Sequence, residues 1–151
     1  MTHATAPTVL YVEDDPDDRL LAEMAQRESG VANPLVFVAD GEEAMHYLRR
    51  SGNHADRVGL PQPGIILLDL NMPGVDGQET LQMIRADPAL RRIPVVILTT
   101  STAATDIAAS YDAGANSYIV KPSTFSSFVY LFDRLCGYWF EIGSIAQEVR
   151  T

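Results

Sequence analysis

The apolar residues of this chain gather into short, nearly unbroken runs. Val9-Leu10-Tyr11-Val12, Ile65 to Leu68, Val95-Val96-Ile97-Leu98 and Tyr118-Ile119-Val120 are almost entirely aliphatic, β-branched or aromatic. Half-exposed antiparallel strands alternate, whereas strands buried on both faces read as continuous runs, so these four segments are expected as two-sided strands of a parallel sheet. Leu35 to Val38, directly after Pro34, is expected as a fifth strand at an edge.

Helix signals fill the gaps. Pro16 suits a first helical position, Leu20, Leu21 and Met24 share a face, and Gly30 follows as a stop. Asp40 with Glu43, and Asp76 with Glu79, have capping-box spacing ahead of further apolar faces. Thr102 is expected to cap a fourth helix carrying Ile107, Ala108 and Tyr111 and closed by Gly114. The unit strand-helix thus recurs five times. Right-handed crossovers then put helices on both faces, and the expected fold is a doubly wound α/β domain. Its reactive crevice should lie beyond the carboxyl ends of the strands.

Length and charge narrow the partners. The 151 residues include 20 acidic and 11 basic side chains, a formal net charge of −9, with 46% of positions hydrophobic. That is enough for one core and disfavours nucleic acid or an anionic membrane as a partner. The single cysteine, Cys136, excludes an internal disulfide and fits a reducing, cytoplasmic setting. Residues 1–7 read as a tail without signal-peptide character, and no apolar run approaches membrane-spanning length.

The residues directly after the runs are chemically related. Glu13, Asp14 and Asp15 follow the first, Asp69 and then Asn71 follow Ile65 to Leu68, Thr99 closes Val95 to Leu98, and Lys121-Pro122 follows the last. Carboxylates gathered in one crevice repel, so either one holds a proton or a cation sits among them. Oxygen ligands without histidine or cysteine suit Mg²⁺, completed by a phosphate oxygen. A lysine and a hydroxyl aimed at the same place complement a phosphoryl group, with Asp69 as nucleophile. An Asp or Thr after one strand is often only a helix cap, but four strand ends supplying complementary groups point to a site. Asp17 and Asp18, in a first helical turn, read as structural charges. His3, His46 and His54 have no ligand spacing.

These residues resemble the receiver domain of two-component response regulators. The matching segments are Val12 to Asp15, Leu68 to Gly77, Pro94 to Thr99, and Gly114-Ala115 through Tyr118 to Lys121-Pro122. The resemblance spans residues 8–135 and implies a flavodoxin-like five-stranded sheet of order 2-1-3-4-5. It implies that Asp69 accepts a phosphoryl group from a histidine kinase. Mg²⁺ would be held by Asp14, Asp69 and the Asn71 carbonyl, with Glu13 in the outer shell. Lys121 would serve the carboxylate and then the phosphoryl group, ahead of a cis Pro122. Thr99 and Tyr118 would be the switch pair. Thr100 is bulkier than the alanine or glycine often found there. The long linker Ser51 to Gly64, the Leu98 to Ser101 segment and the aromatic tail resemble stand-alone receivers serving phytochrome-type histidine kinases.

Thirty residues follow Lys121, too few for an output domain, so signalling by binding or phosphorelay is expected. Phe125, Phe128, Phe132, Leu135 and Trp139 recur at helical spacing as a core face. Tyr130, Leu131, Tyr138, Phe140 and Ile142 lie off that stripe. A homodimer through helix 4, strand 5, helix 5 and an extension over 136–151 is therefore expected, using Phe125, Leu131, Tyr138, Trp139 and Phe140. Two other functions compete. A haloacid-dehalogenase-like phosphatase would want an acid where Asn71 stands, and a receiver-like binding module without phosphorylation would not need the full acceptor set.

Overall fold

The computed structural model describes residues 6–71 and 76–146. Motif residues 72–75 and the last residues of the extension, 147–151, lie outside the described residues, as do residues 1–5. The expected runs form β1 (Val9–Val12), β2 (Leu35–Val38), β3 (Ile65–Leu68), β4 (Val95–Thr99) and β5 (Ser117–Val120). Between and after them lie α1 (Pro16–Ser29), α2 (Gly41–Arg49), α3 (Gly77–Ala86), α4 (Ala104–Asp112) and α5 (Phe125–Cys136). All pairings are parallel, in the order β2-β1-β3-β4-β5.

Successive side chains of a strand point to opposite faces, and this sorts the core into two halves. Leu10, Val12, Ile66, Leu68, Val95 and Ile97 face Ala44 and Leu48 of α2 and Leu81 and Ile84 of α3. Val9, Tyr11, Ile65, Leu67, Val96 and Leu98 face Ala22 and Ala25 of α1 and Phe128, Phe132 and Leu135 of α5. The pairing register aligns Val12 with Leu68, Leu68 with Ile97, and Thr99 with Val120. The carboxyl ends of β1, β3, β4 and β5 consequently open on one edge of the sheet.

Capping follows the sequence except at one helix. Asp15 accepts from the amides of Asp17 and Asp18 ahead of Pro16, and Gly30 closes α1 at a φ of 75°. Asp40 and Asp76 each accept from the amide three residues on. Thr102 does not cap α4. The helix begins after Ala103, which makes no side-chain cap bond, and the Ser101 hydroxyl takes the Ala103 amide at 3.3 Å while donating to Asp106 at 2.5 Å. Thr102 stands one residue too early to fill that place.

The long linker is itself structured. Gly52–Arg57 form a 3-10 helix, and the Arg57 guanidinium, almost wholly buried, lies 3.5 Å from the centre of the Tyr47 ring. It donates to the Tyr47 carbonyl and, at 3.0 Å, to the Pro61 carbonyl. His54 meets Glu43 at 3.0 Å and the edge of the same Tyr47 ring.

After α5 the chain continues as a π-helical segment, Gly137–Ile142. Leu131, Trp139 and Phe140 turn back against the α1 and α5 half of the core. Of the residues expected at an interface, these three are therefore partly engaged within the chain itself, because the sheet face needs their apolar area, and Phe125 and Tyr138 remain exposed. Among the described residues no helix is long and apolar enough to cross a membrane.

Candidate functional site

Each strand ending at the open edge delivers one polar group. Glu13 follows β1 and is 1% exposed, Asp69 follows β3 and is 5% exposed, and Thr99 closes β4 fully buried. Lys121 follows β5, placed by its amide bond to the Thr99 carbonyl at 2.7 Å. The expected cis bond before Pro122 is not found: no described residue has a cis peptide.

The Lys121 ammonium is the centre of the site. It donates to Glu13 Oε2 at 2.7 Å, to Asp69 Oδ2 at 2.8 Å and to Asp18 Oδ2 at 3.0 Å. Burial works against its charge, yet the hydrogen bonds to Asp69 and Glu13 outweigh that and hold its pKa above the ordinary lysine range. Burial pushes Glu13 up to about 7, with Lys121 and the Asp15 amide pulling the other way. Asp18 is a correction to its reading as a structural charge. Its place in the first turn of α1 carries it to Lys121 across the site, a contact that joins residues 103 apart in sequence and leaves no sequence signal.

Asp69 is held at both oxygens. Oδ2 faces Lys121, and Oδ1 accepts from the Asn71 amide at 3.0 Å. The Asn71 side chain then donates to Thr99 Oγ1 at 3.3 Å. Gly77 supports the turn from below. A Cβ there would fall on the Asp69 carbonyl oxygen and lie 2.7 Å from the Leu70 Cα, so the start of α3 approaches the site closer than any side chain permits. The sequence contains Gly77 in its motif, but only the packing shows why a glycine stands there.

Three further groups complete the surroundings. Arg19 Nε donates to the Glu13 carbonyl at 2.6 Å and its guanidinium lies 5.6 Å from the Phe37 ring. Tyr11 lies beneath, fully buried, and burial raises its pKa above the ordinary tyrosine range. Tyr118 donates its hydroxyl to the Ser101 carbonyl at 2.9 Å, bridging β5 to the loop after β4.

The donor chemistry fits a divalent cation. One ammonium stands against the three carboxylates of Glu13, Asp18 and Asp69, and Asp14, next to Glu13 in sequence, is exposed. The local excess of negative oxygen is what a hard cation offsets. Among the described residues, no group of three or more acidic, histidine or cysteine side chains already converges as a ready ligand cage. Lys121 draws Glu13 and Asp69 to itself, and Asp14 points to solvent.

The model of the response regulator receiver domain matches residues 9–132. The chain belongs to this family. The response regulator Rcp1 of Synechocystis sp. is 36% identical over 133 residues, which are 88% of this chain and 88% of that protein. A phosphorylated cyanobacterial phytochrome response regulator, RcpA, matches with a TM-score of 0.84 at 39% identity, covering 94% of this chain and 99% of that one. A response regulator in red light signalling of R. palustris matches with a TM-score of 0.88 at 35% identity, covering 93% and 99%. The Mn²⁺-bound form of Rcp1 matches with a TM-score of 0.81 at 34% identity, covering 93% and 99%. This receiver domain is a response regulator of a two-component system, a signalling class that pairs with histidine kinases, takes a phosphoryl group on aspartate and binds a divalent metal.

Proposed function

We propose that Asp69 is the phosphoacceptor of this receiver domain and that the donor is a phosphohistidine of a phytochrome-type histidine kinase. The observation that carries the reading is the position of Lys121, bonded at once to Asp69 at 2.8 Å and to Glu13 at 2.7 Å at the carboxyl edge of the sheet. The phytochrome connection rests on the cyanobacterial phytochrome response regulator RcpA, and the R. palustris relative in red light signalling is consistent with it.

In the transfer, the donor N–P bond breaks, the imidazole leaves with the electron pair, and an O–P bond forms to Asp69. The bonds to Lys121 and to the Asn71 amide fix the carboxylate beforehand, so little reorganisation is required at the moment of reaction. Lys121 and the Thr99 hydroxyl are the groups that would meet the phosphoryl oxygens. Asp14, Asp69 and the Asn71 carbonyl would hold Mg²⁺, with Glu13 as the outer acid. That ion would neutralise charge on the transferred group.

Thr99 and Tyr118 are the proposed switch pair. Movement of Thr99 toward a phosphoryl oxygen would strain its bond from Asn71, and the Tyr118 bond to Ser101 lies on the same loop. The surface that changes is α4, β5 and α5. Exposed Phe125, Tyr130, Tyr138 and Ile142 favour a homodimer on this side, extended by the carboxyl-terminal segment. The compartment is the cytoplasm.

Intact mass after incubation with Mg²⁺ and acetyl phosphate, or with a phosphorylated cognate kinase, tests the assignment. One phosphoryl adduct is expected, absent in Asp69→Asn. An adduct that survives this substitution would refute it.

A further inference from the structure

A lysine ammonium has three hydrogens to donate. At Lys121 all three have carboxylate acceptors: Glu13 Oε2 at 2.7 Å, Asp69 Oδ2 at 2.8 Å and Asp18 Oδ2 at 3.0 Å. The ammonium is therefore saturated before any phosphoryl group arrives. We propose that Asp18 is a positioning residue that restrains Lys121 in the unphosphorylated domain and releases it when Asp69 is phosphorylated. This rests on Asp69 being the acceptor.

The three partners differ in what release would cost. The side chains of Glu13, Asp69 and Asp18 are 1%, 7% and 41% exposed. Glu13 without Lys121 would keep only the Asp15 amide at 3.1 Å and leave a buried charge without a counter-charge, which is strongly unfavourable. Asp69 becomes bonded to phosphorus and stays in place. Asp18 can turn to water, and its position in the first turn of α1 keeps its charge favourable beside the helix N-terminus. A phosphoryl dianion beside it also repels it.

No proton needs to move at Lys121. As the donor bond to phosphorus breaks (N–P with imidazole leaving, or O–P with acetate leaving from acetyl phosphate) and the Asp69 O–P bond forms, the ammonium exchanges an Asp18 oxygen for a phosphoryl oxygen. Breaking the Asp18 contact is part of the barrier. Because that contact is partly solvated, its removal speeds transfer by only about two- to fivefold.

The test uses the full chain with Mg²⁺ and acetyl phosphate. Phosphorylation rates are followed by intact mass for the wild type, Asp18→Asn and Asp18→Glu, and the Lys121 ¹⁵Nζ resonance is recorded before and after phosphorylation. Asp18→Asn should be faster by that factor, with Asp18→Glu returning to the wild-type rate. The amide variant should shift the Lys121 resonance in the unphosphorylated protein and leave it unchanged in the phosphorylated one. A rate that is equal or slower in Asp18→Asn, or a resonance shift of the same size in both states, overturns the inference while the adduct on Asp69 stands. Absence of any adduct on Asp69 in the wild type overturns the acceptor assignment and the inference together.

Discussion

The Asn71 side-chain amide reaches Thr99 Oγ1 at 3.3 Å, so one hydrogen bond ties the turn after β3 to the tip of β4. Thr99 is fully buried, whereas Asn71 is exposed and can bond water instead. Valine keeps the shape of Thr99 and removes only the hydroxyl. Thr99→Val should therefore change the unfolding free energy by less than about 1 kcal/mol while slowing phosphoryl transfer by at least about tenfold, the range for a lost bond to a charged group. Urea denaturation and a phosphorylation time course would separate the two effects. A large stability loss with unchanged transfer would assign the hydroxyl to the fold.

Gly77→Ala should disturb both. Its new methyl group meets backbone atoms of Asp69 and Leu70, which cannot rotate away as a side chain would. A loss of about 1–3 kcal/mol is expected from overpacking, together with slower phosphorylation as the Asp69 turn shifts. Denaturant midpoints and phosphorylation rates, both compared with Gly143→Ala, whose Cβ would sit 3.0 Å from the Tyr138 carbonyl oxygen, would separate the effect on transfer from the loss of stability.

Arg57 fastens the linker. Its stacking on Tyr47 and its bonds to the Tyr47 and Pro61 carbonyls need a planar fork. Arg57→Ala should cost roughly 2–3 kcal/mol, and Arg57→Lys should recover less than half of that. Full recovery by lysine would show that charge alone serves the position.

Cys136 provides a pH readout. Burial pushes its thiol from 9.0 up to about 11, with Asp133 and Glu141 adding to the shift. The folded state thus keeps a proton that the unfolded chain gives up earlier, so the contribution of this group to stability is full below about pH 9 and falls as pH rises toward 11. Cys136→Ser should flatten this part of the stability profile. In the native protein, reaction with a thiol reagent at pH 8 should be far slower than in denaturant.

Much of the molecule is legible in the residues. Leu35 to Val38 and Ile65 to Leu68 coincide with their strands because a two-sided parallel sheet writes itself as a continuous apolar run. Glu13, Asp69, Thr99 and Lys121 are readable because each closes or directly follows a strand, and parallel topology brings such ends together. Asp18 is not, since it lies on a helix and meets Lys121 only through the docking of α1. Thr102 misleads for a different reason: α4 starts one residue later, after Ala103, whose side chain cannot cap. The trans bond before Pro122 likewise reflects local context that composition does not carry.

The alternation of β-strand side chains has an effect on how the molecule can change over time. Leu10 and Val12 belong to one half of the core and Val9 and Tyr11 to the other. The sheet is thus a partition, and side chains on its two sides share a wall rather than a room. Substitutions in the aromatic tail and α5 can be accommodated among Phe128, Phe132 and Trp139 without repacking Leu81 and Ile84. The proposed partner surface is thereby free to diverge, while the half that seats α3 beneath Asp69 keeps its shape.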